Sequence, residues 1–342
     1  MPFQSNVRRL LDHRPELVSN ARLWSVLQFP QPITLNSADP DVISRAELSF
    51  GLGLVLFSDL LRRVPEADHY LQRVYDAKGQ IVFDHGALRT VAWPSGELPP
   101  GEAAFTRFLS ALGYRLGGTY PLPRLKMTGR SYVHEDLPED LPQYFVSELH
   151  PERFSERFQQ AVSRVVGSSG DPLSPADLAL VERLRRDKAL QLDEARRLLE
   201  ALVRCFDRQH ADVRLADYDT LLAESPEMAW IATEGNVFNH ATDRVADVHR
   251  LAEQLRRERY SIKASVEVSA TGRVRQTALK AAEVMRSFVH EGQLVTRAVP
   301  GSFYEFISRD RIEAAAGAPL DLSFDSGNAT GIFKMTAAEV AA

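Results

Sequence analysis

GQIVFDHGALRTVAW, residues 79–93, is the stretch on which the reading of this chain turns. Its apolar run predicts a strand, and the overlapping WPSGELPPGE at 93–102 predicts a loop from its proline and glycine content. His85 and Arg89 sit inside that run, and a polar group taken out of water is costly unless something pairs with it. Residues four apart share a face in a strand and in a helix alike, so His85 and Arg89 can point into one cavity whichever forms. If the stretch is extended, Asp84 faces the other way and is a poor candidate for direct contact with whatever His85 binds.

Two later segments set polar chemistry in similar surroundings: NVFNHATDR at 236–244 and SFYEFISR at 302–309. In the second, a period of two puts Phe303, Glu305 and Ile307 on one face and Tyr304 and Phe306 on the other. A Glu305 turned to water would expose Phe303 and Ile307 with it, which favours an inward carboxylate. Two imidazoles and a carboxylate match the facial set of non-haem iron oxygenases, which leaves positions open for substrate and dioxygen. An arginine beside them suits an anionic substrate, because its planar fork binds a carboxylate through two hydrogen bonds. Spacing alone does not bring His85, His240 and Glu305 together, since they are remote in sequence, unlike the ligands of an HExxH helix.

The segments DHGALRT (84–90), NHATDR (239–244), RQTALKA (275–281), FYEF (303–306) and GNATGIF (327–333) occur in an order that resembles the 2-oxoadipate dioxygenase/decarboxylases, also called D-2-hydroxyglutarate synthases. The resemblance implies that His85, His240 and Glu305 bind a divalent iron and that Arg89 binds substrate. It implies an α+β fold whose curved central sheet is related to the vicinal-oxygen-chelate architecture, with the metal in its concavity and helices outside. The implied reaction takes 2-oxoadipate and dioxygen to (R)-2-hydroxyglutarate and carbon dioxide, in lysine catabolism. Gly327 and Asn328 would bring backbone close to the substrate. Gln276 and Thr277 either line a polar cavity or are ordinary cross-strand partners. Read from the residues alone, Arg89 also suits an ion pair with Asp84 or Glu97. Two other readings stand beside the dioxygenase: a redox-neutral lyase or isomerase using zinc, nickel or manganese, and a metabolite-binding protein without turnover.

Composition sets the frame. The 342 residues are 44% hydrophobic and 25% charged, enough apolar content for a substantial core. A net charge of -5, with no aromatic platforms beside the basic runs RLRRDK and LRRERY, argues against a nucleic-acid partner. The single Cys205 excludes an internal disulfide and fits a reducing compartment. SFGLGLVLFSDLL is too short for a membrane span and is interrupted by Asp59, so the expectation is a cytoplasmic protein acting on a small molecule, of unassigned oligomeric state.

Along the chain, helices are expected over residues 1–75, the first ligand strand within 76–150, a helical insertion at 151–225, and the remaining ligands in a sheet region at 226–342, all in one catalytic unit. EAAFTRFLSALGYRL reads as an amphipathic helix, and Ser174 with Asp177 gives a start signal for another. Ile262, Ala264, Val266 and Val268 alternate with polar residues as a strand does. No internal repeat is expected.

Overall fold

The computed structural model describes residues 5–34, 41–313 and 317–325. Among them twelve strands run in chain order: β1 (Val42–Ser44), β2 (Phe83–Val91), β3 (Tyr114–Leu122), β4 (Met127–His134), β5 (Gln143–Leu149), β6 (Ala189–Gln191), β7 (His240–Arg244), β8 (Glu267–Val268), β9 (Val274–Ala278), β10 (Glu283–His290), β11 (Gln293–Pro300) and β12 (Phe303–Arg309). Eight of them form a curled sheet in the order β3-β4-β5-β2-β7-β12-β9-β8, so the fold is mixed α and β as expected. Every residue of β2 and of β12 is buried, the polar side chains Asp84, His85, Arg89 and Glu305 included.

The sheet is built twice from one plan. β2, the helix Ala103–Leu109, β3, β4 and β5 form the first unit; β7, the helix Val248–Arg257, β8, β9 and β12 form the second. In each, the last strand lies parallel beside the first, and the two first strands meet antiparallel at the centre. The central register pairs His85 with Thr242 and Ala87 with His240, which makes His85 the counterpart of His240 and Arg89 that of Arg244. DHGALR and NHATDR therefore occupy equivalent positions in the two units, with only His and Arg common to both. The expectation of no internal repeat is corrected: the duplication lives in backbone pairing, while most side chains differ even within those six positions. Gly86 in the first copy is required, because a Cβ there would lie 2.3 Å from the Phe238 ring.

Behind the sheet lies the helix Arg45–Arg63, which contains SFGLGLVLFSDLL and is buried almost all round. A capping box of Ser44 and Glu47 starts it. Phe57 packs against Phe83 and Tyr304, while Tyr70 of the next helix packs against Phe306. The long apolar stretch of this helix is thus explained by a core position; among the described residues no helix is long and apolar enough to cross a membrane. Between the two units, Pro175–Asp187 and Leu192–Arg204 join the N-terminal helices in one core, and β1 pairs with β6. Glu156–Val166, Leu215–Glu224 and Pro226–Glu234 build a second core with the β10–β11 hairpin.

Three local readings change. The helix expected over EAAFTRFLSALGYRL stops at Leu109, and Gly113, at φ +94°, turns the chain into β3. The alternating stretch from Ile262 forms a ladder only at Glu267–Val268. Arg256 takes the carbonyls of Lys263 and Ala264, and Thr277 takes that of Ser265, so side chains satisfy backbone that a strand partner would have used. In the β10–β11 hairpin, LVTRAVP reads as a strand, but the sequence pattern leaves β10 and the turn unassigned; the turn's signal is the pair Glu291-Gly292, both at positive φ as a two-residue hairpin turn demands.

Candidate metal centre

The three central strands bring the cluster together. One rung across them reads His85, Thr242, Glu305, and the next rung on the same face reads Ala87, His240, Phe303. Tyr304 and Phe306 point back to the helices, whereas the Phe303 ring lies 4.8 Å from that of His240, so Glu305 faces the same side as both imidazoles. His85 Nε2 is 3.3 Å from His240 Nε2 and 3.4 Å from Glu305 Oε2, and His240 Nε2 is 3.2 Å from that same oxygen. Ligands about 2.0–2.2 Å from one ion stand roughly 3 Å apart at right angles. These residues fit a metal ion. Glu305 Oε1 is buried with no hydrogen-bond partner among the described residues, a costly arrangement that a cation at the cluster would relieve.

Each imidazole is held from behind. His85 Nδ1 lies 2.9 Å from Asp84 Oδ1, and His240 Nδ1 lies 2.9 Å from the amide of Asn239. The two-fold relation makes Asp84 and Asn239 counterparts. The Asn239 oxygen is buried without a partner among the described residues. A half-turn of the amide sets that oxygen against an Nδ1–H and leaves the Nε2 lone pair facing the cluster, the tautomer that a metal requires.

Asp84 does not face away as extended geometry predicts. The β2–β7 register shifts between Phe83 and His85, and this bulge brings Asp84 to the side of its neighbour. It is not a member of the ligand triangle; it orients a member. Arg309 of β12 holds it through Nε and Nη2, at 2.9–3.1 Å. Arg309 is therefore the near ion-pair partner of Asp84, with Arg244 Nε farther off at 3.9 Å.

Electrostatics follow the same plan. Burial alone would raise the Asp84 carboxyl, but Arg309 and His85 hold it well below the usual carboxylate range. Glu305 is likewise lowered against its burial by His240, His85 and the Thr242 hydroxyl. Burial would lower His85, yet hydrogen bonds to Asp84 and Glu305 raise it. His240 goes down to about 3, chiefly by burial, with His85 and Arg89 adding to the shift against Glu305.

The cluster opens into a cleft lined from five strands, among them Ala87 of β2, Phe145 and Ser147 of β5, and Gln276 of β9. Only a concave sheet can aim five strands at one space. Gln276 thus reaches the cleft, and Thr277 alternates to the other face. Arg89 is fully buried at the next inward position beyond Ala87, its guanidinium 4.9 Å from the Trp230 ring centroid and its pKa lowered by burial to about 10. It does not itself line the cleft. Gly327 and Asn328 lie outside the described residues. Phe324 and Asp325, just before them, do line the cleft, with the Phe324 ring 4.8 Å from that of His85.

Thr242, Asn239 and Arg309 are not singled out by the sequence, whereas Asp84 is, but on the wrong side of the strand. Thr242 lies two residues from His240, a signal once β7 is known to be a strand; its hydroxyl donates to Glu305 Oε2 at 2.9 Å. Phe145 stands where the first unit would carry the counterpart of Glu305, so the duplicated plan supplies three ligands and an apolar fourth wall.

A curled, duplicated sheet with a buried His-His-Glu cluster in its concavity defines a protein of glyoxalase, or vicinal-oxygen-chelate, type. The crystal structure of a glyoxalase superfamily protein from Ralstonia eutropha JMP134 matches with a TM-score of 0.88 at 52% identity, over 94% of this chain and 98% of that one. Within that type, the family model of 2-oxoadipate dioxygenase/decarboxylase matches residues 56–320, and the chain belongs to this family. A rice (Oryza sativa subsp. japonica) protein named 2-oxoadipate dioxygenase/decarboxylase, chloroplastic/amyloplastic, is 25% identical over 307 residues, 81% of this chain and 75% of that protein. The structure of hydroxyglutarate synthase from Oryza sativa in complex with 2-oxoadipate shares the fold, with a TM-score of 0.67 at 19% identity over 88% of this chain and 97% of that one.

Proposed function

We propose that this protein is an iron(II)-dependent dioxygenase that converts 2-oxoadipate and dioxygen to (R)-2-hydroxyglutarate and carbon dioxide in lysine catabolism. The observation that carries this reading is the buried triangle of His85, His240 and Glu305, in a chain of the 2-oxoadipate dioxygenase/decarboxylase family. Ferrous iron bound there supplies the activation of dioxygen that oxidative decarboxylation and hydroxylation need. His85 and His240 offer Nε2 and Glu305 a carboxylate oxygen; Asp84 and Asn239 fix the imidazoles from behind. Arg89, two residues beyond Ala87 on the same face and just outside the cleft lining, is assigned a substrate carboxylate that reaches past Ala87 to its planar fork. Gln276 presents an amide to the substrate, and Phe145 and Phe324 keep water from the reacting face. Gly327 and Asn328 are assigned backbone contacts to the same substrate.

The substrate brings its own 2-oxo acid, so no separate 2-oxoglutarate is consumed. Both oxygen atoms of dioxygen are accounted for: one completes the new carboxylate at the former keto carbon and the other becomes the hydroxyl, while carbon dioxide carries away the two oxygens of the original 2-oxo acid carboxylate. The whole chain 1–342 acts as one catalytic unit in the cytoplasm, on a diffusible acid and without nucleic-acid or membrane partners. The test supplies iron(II), dioxygen and a panel of 2-oxo acids and follows oxygen consumption, carbon dioxide and the hydroxy acid. Stoichiometric oxygen use with 2-oxoadipate is expected. Oxygen-independent turnover would instead make the protein a redox-neutral lyase or isomerase, and binding without turnover a metabolite-binding protein.

A further inference from the structure

Arg309 has two sets of partners on opposite sides of one guanidinium. Nε and Nη2 hold Asp84, which orients His85; Nη1 donates to the carbonyls of Asp321 at 2.9 Å and Ser323 at 2.8 Å. The same guanidinium lies 5.0 Å from the centroid of the Phe324 ring. Its side chain is wholly buried, and so is that of Asp84. The segment it grips crosses the mouth of the cleft. Asp321 N–H returns to Asp310 O beside the end of β12, Gln143 donates to the Leu322 carbonyl, and Phe324 N–H donates to the Tyr120 hydroxyl on β3. Phe324 then rests against His85 and Phe145.

The duplicated plan shows that this device is an addition. Asn239, the counterpart of Asp84, is neutral and meets no cation in its hydrogen bond to His240, and the β5 residue in the place of Arg309 is Leu149. A neutral amide suffices to orient one imidazole. The other receives a buried carboxylate, which needs a buried cation, and that cation also fastens the roof of the cleft.

We propose that the Asp84–Arg309 pair is a positioning device that couples retention of the metal at His85 to seating of residues 321–324 over the substrate cleft. An ion at the cluster draws His85 Nε2 into place, Asp84 follows through Nδ1–H, and Arg309 follows Asp84 with the two carbonyls it holds. The coupling is reciprocal: a seated segment favours the ion, and a bound ion favours the seated segment. This inference rests on the metal-centre reading above but not on the identity of the substrate.

The test is hydrogen–deuterium exchange of the backbone at 320–325 in the full-length protein, with and without cobalt(II) as the probe metal, alongside cobalt affinity by equilibrium dialysis and its visible spectrum. In the unmodified protein, cobalt should slow exchange in that segment several-fold; no change there overturns the coupling without recourse to any variant. Arg309→Lys, which cannot span both sets of partners, should lose the metal-dependent slowing and weaken cobalt binding by about 10–100-fold. Asp84→Asn should weaken cobalt to a similar extent, shift its spectrum and also uncouple the exchange. Retained affinity together with retained metal-dependent protection in either variant overturns the proposal. Cobalt bound with the coupling intact but no oxygen use by the iron form would sink the dioxygenase reading alone, whereas no cobalt binding at all would remove both.

Discussion

The middle and the rim of this structure both bury histidine, to different ends. At the rim, His134 donates from Nε2 to the Leu112 carbonyl and accepts at Nδ1 from the backbone N–H groups of Asp136 and Leu137. His210 similarly donates to the Ala232 carbonyl. Burial pushes both down to about 4, so they are neutral packing residues. In the middle, His85 and His240 use one nitrogen on a side chain and turn the other toward Glu305. Burial alone does not mark a functional histidine. The difference lies in whether backbone has claimed the ring or convergent donors leave room for an ion.

Removing a ligand should break the contrast most sharply. His240→Ala should lose iron and turnover together, by more than the roughly 10–100-fold that follows loss of a group which merely orients a ligand. Metal analysis and oxygen uptake check this, and iron content equal to that of the unmodified protein removes His240 from the ligand set. Arg89→Lys keeps the charge but not the fork; it should hold iron normally and lose about 100-fold in kcat/KM, equivalent to roughly 3 kcal/mol. Lost iron with normal substrate handling would show that the role assigned to Arg89 is wrong.

Chain length comes next. One methylene in a pocket is worth about 1–3 kcal/mol, so 2-oxoadipate should be preferred to 2-oxoglutarate by roughly 10–200-fold in kcat/KM, without absolute exclusion. Equal rates for the two acids would contradict that preference.

The smallest effect on activity is expected at the rim, where pH acts on stability. His134 and His210 are lowered in the folded state from the ordinary 6.5 to about 4, so the unfolded chain binds more protons between those values. Their stabilising contribution is intact above pH 6.5 and declines as pH falls toward 4, by about 2 kcal/mol for each group at pH 5. Denaturant titration at pH 7 and pH 5 measures it. His134→Gln should flatten the pH dependence and leave metal content unchanged; loss of metal in that variant would erase the distinction between the two regions.

Much of the centre was legible in short segments. His85 and Glu305 stood out because each is polar in a run too apolar to face water, and the facing of FYEFI followed from its period of two. Regular strand geometry misplaces Asp84, because a bulge is a property of the pairing between β2 and β7. Thr242 was overlooked for a related reason: its importance depends on a rung shared with His85 and Glu305. The repeat was invisible because DHGALR and NHATDR, 155 residues apart, acquire meaning only when their strands pair.

The sequence by itself determined which side chains would be costly to bury and, through the resemblance of its motifs, which of them belong together. Local periodicity follows from covalent geometry and the immediate neighbours, so it can be read along the chain. Tertiary structure decided that β2, β7 and β12 lie side by side, that Asp84 turns toward His85, and that Arg309 joins a metal-site carboxylate to the segment over the cleft. These are relations between atoms remote in sequence, fixed by the hydrogen-bond register of a sheet and the packing behind it.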